Sequence, residues 1–534
     1  MRNSPENQGN SNIDWIHGTC LAALLIIFSI FLGTFVATDQ LSTLASDSIH
    51  YLVMAAGFSP WENISEFLQP HLATQNYPPL FPLLLGLSGL NRSLPTAHLF
   101  AVVFLIPALA LFFVIVARQT GQRLAALLLT VLLMLLPGTW ENAMGILSEN
   151  LYLFLTLCAL FLANCDISNK SSRVLLGILL ALIILTRSIG FTLLIAYMLQ
   201  QFFCKKGREN WRHNLLIPVA SCITLLGVAQ LLLPAAAPTQ YLQIIDRFWE
   251  KELAIFDYLI NQGEAFFTAW QTAILRYWTD DQPLPFAIAT LTFALAVIGV
   301  VVGLREKAIH AWYVLLYCLI IVVWPYPGQM YRFLFPIIPL LLFHALVTCL
   351  GICRLFRQHR LSQLLPVVWA IILIVIVFPS TFFTLGRYQL GLQEGLSGYF
   401  DYYHYADIKR ARIRSIEQKK IIGEISLLKD SISNNALIWY FVPEIVSYFG
   451  NLQSIYLPNS LSTEGYKALL QVHPHSHIYL TRLHPRKSSA LYSGLTLFSR
   501  LQTFTHVRSI THNPITGQAV SMLLQTKFKL SVAD

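Results

Sequence analysis

Apolar runs long enough to cross a lipid bilayer recur through the first 385 positions of this 534-residue chain and then stop. Crossing about 30 Å of hydrocarbon takes roughly 17–25 helical residues at about 1.5 Å each. Eleven stretches approach that length: about 17–37, 96–117, 122–138, 148–164, 173–186, 188–203, 214–233, 284–303, 309–324, 333–350 and 362–384. The fifth and sixth come from one apolar stretch interrupted by Thr186, Arg187, Ser188 and Gly190. A single helix over 173–203 would overshoot the bilayer, so the stretch is divided at that interruption. With 55% hydrophobic and 12% charged residues the chain carries too little charge to coat a soluble body of its size. Lipid must be its solvent.

Numbering the spans predicts which loops share a side, and the positive-inside rule then tests the count. One alternating set holds Arg118 and Arg123, then Lys170 and Arg173, then Lys205, Lys206, Arg208 and Arg212, then Arg305 and Lys307, then Arg354, Arg357 and Arg360. These read as cytoplasmic, together with the polar N-terminus, residues 1–16. The apolar segment from His17 to Ala37 is too long for a signal-peptide core and reads as an uncleaved first span. The opposite loops, about 38–95, 139–147, 234–283 and 325–332, are less basic. An odd number of spans then leaves residues 385–534 on the outer side, the periplasm of a bacterial inner membrane.

The expected fold class is therefore a polytopic α-helical membrane protein, residues 17–384, with a C-terminal extracytoplasmic α/β domain, residues 385–534. Short β-rich runs at Ala436–Val442, Ser454–Leu457, His477–Leu480 and Ala519–Gln525 support that domain. The formal charge of +9 sits in short inter-span clusters rather than on one stripe, so it reports topology and not a nucleic-acid partner. All eight cysteines lie in the membrane part without zinc-type spacing, so neither a disulfide framework nor a cysteine metal site is expected.

In the first outer loop Asp47 and Tyr51 stand four residues apart, on one face if the segment is helical. Asp47 alone reads equally well as a solvated acid capping a helix. Downstream come Asn76-Tyr77-Pro78-Pro79-Leu80-Phe81-Pro82 and a short apolar run read as an interfacial helix along the outer leaflet.

Taken in order, D-x-x-x-Y at Asp47, the Y-P-P-x-x-P element at Tyr77, Ser148-Glu149 opening the fourth span, Leu185-Thr186-Arg187 and Y-R-F-L-F-P-I-I-P from Tyr331 to Pro339 resemble the GT-C superfamily of integral-membrane glycosyltransferases. The chain is similar in particular to the bacterial group of protein O-mannosyltransferases and the lipid A aminoarabinose transferase. The resemblance covers nearly the whole chain. It implies a GT-C fold and transfer of a sugar from a polyprenyl-phosphate donor to a lipid, glycan or protein acceptor on the outer face, among membrane lipids. The family's catalytic acid maps to Asp47. Many members have Asp-Glu where this chain has Asp47-Ser48, and His50 or Glu62 is the candidate for a second group.

Displacing a polyprenyl phosphate from an anomeric carbon needs an acceptor hydroxyl and a general base, the role given to Asp47, and a single displacement inverts the centre. The leaving phosphate needs cations where its charge develops. Arg92, Arg187, Arg247, Lys251, Arg276 and Arg332 lie on or near the outer side, and Arg187 and Arg332 interrupt apolar sequence, where a charge is costly and needs a partner. Snorkelling to headgroups is their bland alternative. His50, Tyr51, Tyr77, Glu149, Arg187, Arg276, Tyr331 and Arg332 form the substrate-binding set. For Tyr331 an aromatic-belt role stands beside sugar contact, and for Glu149 favourable seating at a helix N-terminus stands beside a functional role. Convergence of Asp47 and Glu149 would position the acceptor or share a divalent cation. With no D-x-D element in an outer loop, no metal ligand or cofactor is assigned.

The aromatic third outer loop, from Trp249 to Trp278, reads as an amphipathic segment at the membrane interface. His473, His475, His477 and His484 are set aside as a metal site because no distant carboxylate joins them. Competing readings are a transporter or flippase, disfavoured by the lack of an internal repeat, a polysaccharide polymerase or ligase, disfavoured by the acid near the first span, and an inactive scaffold.

Overall fold

The computed structural model describes residues 6–41, 47–72, 77–165, 169–203, 211–233, 255–275, 278, 282–324, 326–355, 359–393, 408–433, 436–458, 461–482 and 497–527. All eleven stretches read as spans fall on helices. Among the described residues six helices are long and apolar enough to cross a membrane: Trp15–Val36, Leu94–Thr120, Arg212–Leu232, Pro283–Arg305, Pro327–Arg354 and Leu364–Phe383. Glu149–Asn164, Ser188–Phe203 and Ile309–Val323 are shorter apolar helices. Ile26, Ile27, Ile30, Leu291, Val375 and Phe378 are exposed on the bundle surface. Such a surface is stable only against hydrocarbon, and the chain is a multi-pass membrane protein.

The breaks in these helices follow from local chemistry. Arg123–Leu135 turns by 54° into Pro137–Ala143, because Pro137 has no N–H to continue the ladder. What reads as the loop 139–147 therefore begins as a buried turn of helix. Lys170–Thr186 ends where Arg187 becomes extended (φ −151°, ψ 132°), and Ser188–Gly190 forms a 3-10 turn before Phe191–Phe203. The division made from the T-R-S-x-G interruption falls at this point. A Cβ at Gly190 would meet Ile183 Cγ2 at 2.7 Å, so only glycine lets the chain fold back here. Likewise the loop 325–332 is helical from Met330 and leads through a 3-10 turn, Phe335–Ile337, into Ile338–Leu355.

In the first outer loop the helix Asp47–Phe58 is buried on Ile49, Leu52, Val53 and Ala55. The run read as an interfacial helix is Leu80–Ser88, seated directly on it. At Gly86 an added Cβ would lie 2.3 Å from the Ala55 carbonyl, so the two helices touch backbone to backbone. Part of the third loop departs from the interfacial expectation. Ile255–Leu275 is a helix packed into the bundle, with Trp270 fully buried and its Nε1 donating to the Ala289 carbonyl at 3.0 Å. Ala269 and Ala273 flank Trp270 on the same face, which is what admits the close approach. Residues 234–254 lie outside the described residues.

The C-terminal domain opens with the helix Ile408–Ser431 and builds a five-stranded sheet of β1 (Ile438–Tyr440), β2 (Ser454–Tyr456), β3 (His477–Thr481), β4 (Thr505–His512) and β5 (Ala519–Thr526), ordered β2-β1-β3-β5-β4. β1 is parallel to β2 and β3, and β5 is antiparallel to β3 and β4. The four β-rich runs correspond to β1, β2, β3 and β5. β4 was not read from the sequence, because this edge strand exposes most of its residues and lacks a clean apolar alternation.

Candidate functional site

The site grows from the N-terminus of the Asp47–Phe58 helix, where a carboxylate is favoured by the helix dipole. One turn on, the Tyr51 hydroxyl hydrogen-bonds Ser148 Oγ at 2.9 Å, and the Ile146 N–H donates to Ser48 Oγ at 3.2 Å. These bonds fasten the outer-loop helix to the turn that starts Glu149–Asn164. The serine that replaces the second acid of the Asp-Glu pattern is thus part of that fastening.

Five side chains form one polar chain. The Tyr77 hydroxyl donates to Asp47 Oδ1 at 2.9 Å, and Arg332 Nη1 lies 2.7 Å from Asp47 Oδ2. Arg332 Nε reaches Glu149 Oε1 at 2.5 Å, and Arg187 Nη1 reaches the same oxygen at 2.6 Å. Glu149 is fully buried, while Arg187 and Arg332 are 15% and 13% exposed. The guanidiniums are therefore turned inward on a carboxylate rather than outward on headgroups. Two anions and two cations cancel, which is what lets four charges persist in a poorly solvated place.

Burial opposes the charge on Asp47, but the Arg332 guanidinium beside it and the Tyr77 hydroxyl outweigh burial and hold its carboxyl below the ordinary value. Burial, reinforced by the Asp47 charge, pushes the Tyr77 phenol up, and burial does the same to Tyr51. Both phenols stay protonated as donors.

Asp47, Tyr51, Tyr77 and Arg187 line one wall of a cavity of about 590 Å³, and Tyr317, Ile321, Trp324 and Phe333 line much of the rest. Phe191 and Ile320 also line it and are 48% and 45% exposed, so the cavity opens sideways on the lipid-facing surface. The Arg187 guanidinium sits over the Phe333 ring, 5.4 Å from its centroid. Arg332 does not line the cavity; it stands behind Asp47.

Not every expected residue meets at this place. His50 stacks on Tyr77, with ring centroids 5.4 Å apart, but its Nδ1 faces Glu444 Oε1 at 4.0 Å in the C-terminal domain. Tyr331 is half-buried and does not line the cavity, Glu62 pairs with Arg92 elsewhere, and Arg276 lies outside the described residues. Among the described residues no three His, Cys, Asp or Glu come together as a metal would require. The Arg332 guanidinium takes the place between Asp47 and Glu149 where a shared cation would stand. Sequence reasoning missed Tyr317, whose hydroxyl donates to the Phe333 carbonyl at 2.9 Å. Tyr313 and Tyr317, four apart in an otherwise apolar helix, were the available signal.

The C-terminal domain closes over the same loop. His71 Nε2 and Ser447 Oγ are 3.1 Å apart, the Tyr448 hydroxyl donates to the Asn91 carbonyl at 2.9 Å, and Ser65 hydrogen-bonds Asn451. The segment from Ser65 to Asn91 and the C-terminal domain therefore pack against each other.

No protein-family model and no curated protein sequence matches the chain. Solved structures do match over nearly its whole length. The apo structure of ArnT from Cupriavidus metallidurans, the lipid A aminoarabinose transferase, aligns at 11% identity and a TM-score of 0.52 over 95% of this chain and 98% of that one. The structure of ArnT bound to undecaprenyl phosphate aligns at 11% identity and 0.53 over the same shares. The archaeal oligosaccharyltransferase AglB from Archaeoglobus fulgidus, in complex with an inhibitory peptide and a dolichol-phosphate, aligns at 11% identity and 0.51 over 95% of this chain and 74% of that one. The fold is the GT-C fold of these membrane glycosyltransferases.

Proposed function

We propose that this GT-C chain is a membrane glycosyltransferase that moves a sugar from a polyprenyl-phosphate donor to an acceptor on the outer face of a bacterial inner membrane. The observation that carries the reading is the ionic chain Tyr77–Asp47–Arg332–Glu149–Arg187 set at a cavity that opens to lipid. The sideways opening suits a donor whose prenyl tail stays in the bilayer. ArnT with undecaprenyl phosphate and AglB with dolichol-phosphate show the same fold holding such lipids.

The residues divide the work. Asp47 accepts the proton of the acceptor hydroxyl as its oxygen attacks the anomeric carbon, and the bond from that carbon to the phosphate oxygen breaks on the opposite side. The sugar inverts, and the prenyl phosphate leaves as a monoester. Arg187, the guanidinium that lines the cavity, meets the charge that develops on it. Arg332 is a positioning residue: it holds Asp47 ionised and aimed, while Glu149 anchors both arginines. Tyr77 fixes the other Asp47 oxygen.

The test is a transfer assay in proteoliposomes with defined polyprenyl-phosphate sugars. Transfer by the wild type and its loss in Asp47→Asn support the reading; full activity of Asp47→Asn would remove Asp47 as the base.

A further inference from the structure

Titratable side chains of the first outer loop and the C-terminal domain meet at a place that leads back to Asp47. His50 stands three positions after Asp47 on the Asp47–Phe58 helix, and its ring lies at 21° to that of Tyr77 with centroids 5.4 Å apart. Tyr77 in turn donates to Asp47 Oδ1. The Nδ1 of His50 faces Glu444 Oε1 at 4.0 Å, and Glu444 lies in the first turn of the Pro443–Gly450 helix of the C-terminal domain. Glu444, His50, Tyr77 and Asp47 thus follow one another from the C-terminal domain to the candidate base.

The step from Glu444 to His50 is the one that crosses between the two parts. The Glu444 side chain is 12% exposed, and among the described residues neither its Oε2 nor the buried Nδ1 of His50 has a hydrogen-bond partner. A carboxylate placed so is costly unless a cation stands beside it, and His50, when protonated, is that cation. A second imidazole near Glu444, His71, has another task. Burial, with His50 adding to it, holds His71 below its ordinary value against the pull of the Glu444 carboxylate. As a neutral ring it sits 3.1 Å from Ser447 Oγ and fastens the domain. Asp47, Tyr77, Glu444 and His71 are the titratable groups around His50.

Two effects carry from this contact to Asp47. A carboxylate facing Nδ1 favours the ring with its proton on that side and so fixes how the imidazole lies on Tyr77, whose hydroxyl holds Asp47 Oδ1. Burial opposes the Asp47 charge, and a protonated His50 joins Arg332 and Tyr77 in holding that charge in place. Neither Glu444 nor His50 lines the lipid-facing cavity, so both act through other side chains and not on substrate. We propose that Glu444 is a positioning residue of the transferase: through His50 it keeps Tyr77 on Asp47, and the C-terminal domain thereby completes the reacting site. The inference rests on the transferase reading with Asp47 as its base and adds the part played in it by the C-terminal domain.

A double-mutant cycle in the proteoliposome transfer assay tests it, with thermal unfolding of the same full-length variants in detergent. Glu444→Gln and His50→Gln each lower kcat about tenfold and leave the donor KM unchanged, and the double variant loses no more than the larger single loss. The acid limb of the pH profile moves to higher pH in His50→Gln, because a cation that favours ionised Asp47 is gone. Tyr448→Phe removes a different bond between the two parts, the one to the Asn91 carbonyl; it lowers stability and keeps kcat. Wild-type transfer that is lost in Asp47→Asn but unchanged in Glu444→Gln and His50→Gln rejects the proposal alone. Losses that multiply in the double variant, or a kcat that falls as far in Tyr448→Phe, make Glu444 a docking contact only and overturn it as well. No transfer by the wild type, or full transfer by Asp47→Asn, rejects the transferase reading and takes the proposal with it.

Discussion

Near each end of the Asp47–Phe58 helix lies a glutamate paired with arginine, yet the two pairs live in different media. Glu149 is fully buried between Arg187 and Arg332, whereas Glu62 and Arg92 are 38% and 52% exposed. Water screens the second pair and scarcely reaches the first. Charge beside the lipid-facing cavity therefore acts with little screening, while charge at the exposed pair is damped by solvent. The same residue types thus form a nearly dry ion pair near one end of a helix and a solvated one near the other.

The largest effect should come from the reacting end. Asp47→Asn keeps the shape and removes the proposed base, and a loss of about a hundredfold to ten-thousandfold in kcat is expected in the proteoliposome assay. Unchanged kcat would place the chemistry elsewhere. Next comes Glu149→Gln, which strips two guanidiniums of their common partner. Breaking a buried pair costs about 3–5 kcal/mol, so thermal unfolding in detergent should show a marked loss of stability. A variant as stable as the wild type would mean that Glu149 is not the anchor.

The break between the helices Lys170–Thr186 and Phe191–Phe203 was legible in the sequence, because apolar length and the T-R-S-x-G interruption are local signals that a bilayer and a helix enforce. Asp47 and Tyr51 were readable as one face for the same reason, four residues being one helical turn. Roles that depend on distant partners were not. Arg187 and Arg332 looked alike in the sequence, each a lone cation in apolar surroundings; only the packing of two remote helices shows that Arg187 faces the cavity while Arg332 stands behind Asp47. The strand Thr505–His512 escaped because it is a polar edge.

A smaller effect should follow from Tyr77→Phe. The hydroxyl donates to the ionised form of Asp47, and a hydrogen bond to a charged group contributes about 1.5–3 kcal/mol, so kcat should fall by roughly ten- to a hundredfold. The pH profile carries the sign. Asp47 is held below its ordinary 3.8, so the wild type should keep its ionised base through neutrality and lose activity only at lower pH. Its pairing with Arg332 likewise contributes stability that is fully present above the ordinary value and is lost as the pH falls through the lowered one. Removing the Tyr77 donor raises the pKa toward ordinary, so the acid limb of the variant should move to higher pH. An acid limb that stays in place would show that Tyr77 does not tune Asp47.

The smallest effect should be at the exposed pair. Arg92 holds Glu62 at 3.2 Å, but with both groups largely in water the pair gains little Coulomb energy over two solvated ions. Arg92→Gln should change stability by about 1 kcal/mol or less, and the difference should shrink further as salt rises. Thermal unfolding of this variant beside Glu149→Gln, in the same detergent and over the same salt series, is the direct comparison. A salt-insensitive loss at Arg92 as large as that at Glu149 would mean that the surroundings of the Glu62–Arg92 pair are as dry as those of Glu149, and the contrast between the two ends of the helix would then have to rest on shape rather than on solvent.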